Sequence, residues 1–132
     1  MRDYLSYLHP FLPKLFADCP EIYRIEDIVI VMDGSGSIGT CEFDHGKKAL
    51  HYMMRSANDG SIDAKYAAVT FATSATVNFK FLPYSLAAEK ITQTPYPDGE
   101  TNTQAGLKKA KKLFDDPSSG MCSNKIEKKM LK

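Results

Sequence analysis

Neither sign of charge prevails in this sequence: 17 lysines and arginines stand against 16 aspartates and glutamates, for a net charge of +1. That balance argues against the basic excess on which binding to nucleic acid or to an anionic membrane rests. Long hydrophobic runs are missing too. The longest uninterrupted one, Ile28 to Met32, falls far short of the ~20 residues that a membrane-spanning helix needs. Cysteine is scarce: Cys19, Cys41 and Cys122 show no C-x-x-C spacing of a zinc site and are too few to staple a small disulfide scaffold. The three histidines, His9, His45 and His51, include no i, i+4 pair of histidines to hold a transition metal, and all three read as surface residues. Internal repeats and low-complexity tracts are absent. The amino-terminal stretch MRDYLSYLHPFLPKLFADCP is interrupted by Asp3, His9, Pro10, Pro13 and Lys14 before an apolar signal-peptide core can form. Residues 1–24 are therefore expected to be a lead-in, loosely packed or disordered, in which Leu5, Leu8, Leu12 and Leu15 could line one side of a short broken helix.

What is present is an ordinary globular composition, 43% apolar and 25% charged over 132 residues, which suits one domain with one core. The run DIVIVMD at Asp27 to Asp33 is rich in β-branched residues and lacks polar alternation, the pattern of a central strand buried on both faces. Gly34, Gly36 and Gly39 follow, then Thr40 as the expected N-cap of a helix over Cys41 to Ala57. Phe43, Leu50, Met53 and Met54 should share its inner side. After the Asn58-Asp59-Gly60 turn, Lys65 to Phe71 reads as a second strand. Ala75 to Phe81 then alternates Val77, Phe79 and Phe81 with Thr76, Asn78 and Lys80, as a half-exposed strand does. The short link Ala72-Thr73-Ser74 predicts an antiparallel hairpin. A short helix over Leu86 to Thr92, a loop marked by Pro95, Pro97 and Gly99, and a helix from Asn102 to Phe114 with Leu107, Ala110, Leu113 and Phe114 inward complete the order. The fold class is α/β: an open, mostly parallel, Rossmann-like sheet flanked by helices, with one antiparallel edge hairpin. In such sheets ligands bind at the carboxyl ends of the strands, where the loop from Asp33 to Gly39 lies.

Asp33-Gly34-Ser35-Gly36-Ser37 sets a carboxylate and two hydroxyls on alternate residues of a tight turn, with glycines between them to let the backbone fold. Oxygen ligands with few charges suit a hard cation such as Mg²⁺, which takes some positions from protein and leaves others to water or an incoming ligand.

Together with the preceding DIVIVM, this D-G-S-G-S segment resembles the metal-ion-dependent adhesion site of von Willebrand factor type A domains, including integrin inserted domains and matrix-protein A domains. Gly99-Glu100-Thr101-Asn102-Thr103 is similar to the G-x-T-N-T segment of that family's second loop. The resemblance implies that Ser35, Ser37 and Thr101 coordinate Mg²⁺ directly, with Mn²⁺ or Ca²⁺ as alternatives, and that Asp33 acts mainly through a bound water. Gly34, Gly36 and Glu100 would form the rim that a ligand meets. It further implies an adhesion module rather than an enzyme, secreted and extracellular, whose partner is a matrix or cell-surface protein presenting Asp or Glu, with no nucleic acid and no membrane insertion. The family's third loop carries an aspartate in a T-D-G segment, and this sequence stops where the preceding strand should begin. Residues 25–132 are thus expected to be the N-terminal portion of such a domain, prone to aggregate at an uncovered first strand and weak in Mg²⁺ affinity. If the sheet follows the family, Cys19 and Cys122 fall at one edge and Cys41 at the other, so Cys19 and Cys122 should pair and Cys41 stay free.

Other readings compete. Gly34-Ser35-Gly36-Ser37-Ile38-Gly39 also spells the dinucleotide fingerprint G-x-G-x-x-G, although Asp33 would repel a pyrophosphate and no acid follows the second strand to take a ribose. A phosphoryl-transfer enzyme with Asp33 as nucleophile would want a second acid beside it. An intracellular A domain serving as a scaffold is the rival inside the family. The many lysines from Lys108 onward read as solvated faces.

Overall fold

The computed structural model describes residues 24–58 and 62–122. Three strands and three helices follow in the order β1 (Arg24–Asp33), α1 (Thr40–Ala57), β2 (Ile62–Phe71), β3 (Ala75–Pro83), α2 (Tyr84–Gln93) and α3 (Thr103–Asp115), with a 3-10 turn at Pro117–Ser119. β1 and β2 are parallel, with Ile30 opposite Ala68 and Asp33 opposite Phe71. β3 returns antiparallel to β2 through the Ala72-Thr73-Ser74 link, as the sequence predicts. The sheet order is β1-β2-β3. β2, not β1, is therefore the central strand of the described residues; Ala67, Ala68, Val69 and Thr70 are buried along it.

Helices cover both faces. On one, Phe43 and Met54 of α1 and Ala87, Ala88 and Ile91 of α2 pack with Ile30, Met32, Tyr66, Ala68 and Phe79. On the other, Leu113 of α3 packs with Ala67, Val69 and Phe81. The strict alternation expected of β3 fails for a visible reason: the pairing of β2 with β3 slips between Tyr66 and Ala68 and again between Ala68 and Val69. Each extra residue in β3 reverses the facing of the residues beyond it, so Phe79 joins the α1/α2 side while Val77 and Phe81 join the α3 side.

Two helix faces differ from expectation. In α1, Met54 is fully buried, packed with α2 and the sheet, but Met53, turned by about 100° from it, is 53% exposed. In α3 the inward stripe is Gly106, Ala110 and Leu113, whereas Leu107 is 59% exposed and Phe114 is exposed too. Gly106 sets that rotation: a Cβ there would lie 2.6 Å from the Phe71 ring, so the helix approaches the sheet through its smallest residue. Gly39 (φ 80°), not Thr40, is the N-cap of α1; Thr40 is its first residue, and no side chain caps it.

Cys122 is buried and disulfide-bonded, and Cys41 is free and exposed. The lead-in segment and the Cys19 half of the expected pairing lie outside the described residues. No helix among the described residues is long and apolar enough to cross a membrane.

Candidate functional site

β1 ends at Asp33, and the chain turns at once. The Gly34 amide donates to the Phe71 carbonyl at 2.8 Å, tying the turn to the end of β2. Asp33 Oδ1 accepts the Ser35 amide at 2.8 Å, which fixes the carboxylate over the turn. The Ser35 and Ser37 hydroxyl oxygens lie 3.4 Å apart. The turn therefore sets the Asp33 carboxylate on the Ser35 amide and the Ser35 and Ser37 hydroxyls side by side, with Ser35 itself 1% exposed and Ser37 exposed.

A second loop, residues 94–102, is fastened to this one. The Tyr96 hydroxyl donates to the Ser35 carbonyl at 2.9 Å and the Gly36 amide donates to the Gly99 carbonyl at 2.8 Å. Gly34 is buried against Pro97, whose ring a Cβ at that position would strike. Gly99 has φ 120°, a conformation open to glycine, and a Cβ there would meet the Thr73 hydroxyl. Thr73 holds the far side of this loop: its Oγ1 accepts the Glu100 amide at 3.1 Å and its carbonyl accepts from Asn102 Nδ2 at 3.3 Å. Asn102 then caps α3, its side-chain oxygen accepting the Ala105 amide at 3.1 Å. Thr101 is exposed between these two anchors, as are Glu100 and Gly36.

The donor set fits a hard divalent cation. Adjacent ligands of an octahedral ion lie about 3 Å apart around Mg²⁺ and about 3.5 Å apart around Ca²⁺, from their metal–oxygen distances. The 3.4 Å between the two serine oxygens falls in that range. Among the described residues no hydrogen bond occupies Asp33 Oδ2, so one carboxylate oxygen stays available. The same loop suits a pyrophosphate poorly, because the amides of Gly34, Ser35, Gly36 and Ile38 are all committed to protein acceptors.

Sequence reasoning passed over Tyr96, Asp98 and Thr73. The first two stand in Pro95-Tyr96-Pro97-Asp98-Gly99, legible as a turn from its P-D-G but not as a partner of the first loop. Asp98 adopts φ 55°, and a Cβ at Gly36 would lie 2.8 Å from its Oδ1, so a carboxylate of the second loop lies against the first. Beyond Thr73 a shallow groove of about 310 Å³ opens, lined by Thr73, Ser74, Asn102, Lys108, Lys109 and Lys112. Among the described residues none of these three lysines has a carboxylate partner; the pairs found are Lys47–Asp44, Lys80–Asp116 and Lys111–Asp115.

The family model of the von Willebrand factor type A domain matches residues 27–131. No curated protein matches. Among solved structures, an uncharacterized membrane spanning protein from Vibrio fischeri is similar with a TM-score of 0.59 at 18% identity, over 70% of this chain and 50% of that one. The PilB minor pilin from Streptococcus sanguinis gives 0.55 at 24% identity, over 67% of this chain and 26% of that one. A structure of three N-terminal domains of the type V pili tip protein Mfa5 from Porphyromonas gingivalis gives 0.52 at 20% identity, over 74% of this chain and 18% of that one. At these identities the likeness is one of fold, and this chain spans half or less of each of those structures.

Proposed function

Because the chain belongs to the von Willebrand factor type A domain family, a family of protein-interaction modules, we propose that it binds an acidic side chain of a partner protein through a divalent cation held by Asp33, Ser35, Ser37 and Thr101. The observation that carries this reading is the gathering of the Asp33 carboxylate with the Ser35 and Ser37 hydroxyls at the carboxyl end of β1, beside the loop that presents Thr101. A bound Mg²⁺ supplies positive charge that a few neutral hydroxyls leave largely unneutralised, so an anionic ligand is attracted to it. Ser35 and Ser37 offer hydroxyl oxygens from a fixed backbone, and Asp33 is oriented by its bond to the Ser35 amide. Thr101 sits at the start of the stretch that Asn102 caps, so its position follows the loop's anchoring at Thr73 and Ala72.

The groove lined by Lys108, Lys109 and Lys112 adds positive charge next to that loop and favours a partner surface with more than one acid. An extracellular or cell-surface setting is supported by the disulfide at Cys122, since such bonds persist in oxidising compartments. The pilus proteins that share the fold suit this setting as well. A matrix or cell-surface protein is accordingly the partner class we assign.

The test uses immobilised peptides from matrix proteins, in pairs that differ only by Glu against Gln. Binding should require the Glu member, disappear in EDTA and return with Mg²⁺. Asp33→Ala and, separately, Thr101→Ala should each weaken it about tenfold or more while the melting transition is kept, since each removes an oxygen without touching the core. Undiminished binding by folded Asp33→Ala protein in EDTA would sink the proposal.

A further inference from the structure

The first turn of α1 brings three different metal-ligating side chains together. Cys41 and His45 are four residues apart and Glu42 and His45 three apart, spacings that place side chains on neighbouring positions of one helical surface. Their ligand atoms all lie within 4.8 Å of one another, and all three residues are exposed. A pattern of paired histidines misses this site because its i, i+4 pair is a cysteine with a histidine.

We propose that Cys41, Glu42 and His45 form a second cation site, selective for Zn²⁺ and similar borderline-soft metals and separate from the oxygen-only loop at Asp33 to Ser37. A thiolate, an imidazole and a carboxylate are the ligand types that Zn²⁺ takes, at about 2.3 Å to sulfur and about 2.0–2.2 Å to nitrogen and oxygen. Tetrahedral ligands at those lengths lie roughly 3.3–3.8 Å apart. The three donors therefore need to close by about 1 Å, a motion within the rotamer freedom of exposed side chains. Among the described residues none of the three is engaged in a hydrogen bond or an ion pair, so binding breaks no existing contact, whereas the neighbouring Asp44 is already paired with Lys47. The Cys41 thiol gives up its proton to solvent when the metal takes its place. Three protein ligands leave a fourth position for water or for a donor from another molecule.

Cobalt(II) as a spectroscopic stand-in tests this on the intact 132-residue chain without reductant, so that the disulfide at Cys122 is preserved. The proposal expects near-ultraviolet sulfur-to-cobalt absorption and visible bands of a tetrahedral ion, saturating at one equivalent and displaced by Zn²⁺. Cys41→Ser should remove the sulfur band, and His45→Ala should weaken affinity about tenfold or more. The double variant Ser35→Ala/Ser37→Ala should bind cobalt as the parent chain does, which separates this site from the adhesion loop. A folded parent chain with no sulfur band, or a band that persists in Cys41→Ser, would overturn it.

Discussion

Ser35 joins everything at the site: its amide holds Asp33, its carbonyl accepts from Tyr96 and its hydroxyl lies beside that of Ser37. The residues that form this turn were legible because alternating glycines and oxygen donors after a buried strand state both the backbone shape and the chemistry. Tyr96, Asp98 and Thr73 were not, because their roles depend on contacts with residues more than 25 positions away, which no local pattern encodes. Gly34 provides a test at this scale. Gly34→Ala drives a methyl into Pro97 and should cost about 1–3 kcal/mol in denaturant melts, with weaker Mg²⁺-dependent binding as the two loops part. Gly46→Ala, on the open surface of α1 with nothing within 4 Å of the added carbon, should instead stabilise by about 0.5–1 kcal/mol. Equal effects of the two would mean that the close approach of the loops is wrong.

The order and type of the three strands and three helices followed from periodicity and turn residues, the link Ala72-Thr73-Ser74 correctly announced a hairpin, and only the 3-10 turn at Pro117–Ser119 went unread. Facing was harder to read. Helical spacing admits Met53 and Met54 to the same apolar stripe, and only packing against α2 and the sheet decides that Met54 is the one inside. Likewise Gly106 looks like a weak point in α3 until its contact with Phe71 shows that it sets the helix's approach. The two slips in β3 leave no mark in an alternating sequence, since Val77, Phe79 and Phe81 are apolar on either face. These assignments predict opposite outcomes for adjacent residues: Met54→Ala should destabilise by about 2–5 kcal/mol, whereas Met53→Ala should stay within about 0.5 kcal/mol. Chemical denaturation of both variants decides it, and a costly Met53→Ala would mean that α1 is rotated on the sheet.

At the scale of the molecule, the sheet serves to aim two loops. β1 and β2 run parallel, so Asp33 and Phe71 end side by side, and the Gly34 and Asn102 amides hang both loops from the end of β2. Helices pack on both faces of β2, and the carboxyl ends of the strands are where an α/β sheet carries its ligands. Among the described residues β1 pairs with β2 on one side. The central claim is that Asp33, Ser35 and Ser37 hold a hard divalent cation, and electron paramagnetic resonance of Mn²⁺ titrated into the 132-residue chain reads it directly, because the six-line signal of the free ion fades on binding. The expected result is a weak, saturable, one-site loss of that signal, reversed by excess Mg²⁺, retained in Cys41→Ser and abolished in Ser35→Ala/Ser37→Ala. A signal that never fades, or that fades equally in the double serine variant, would contradict it.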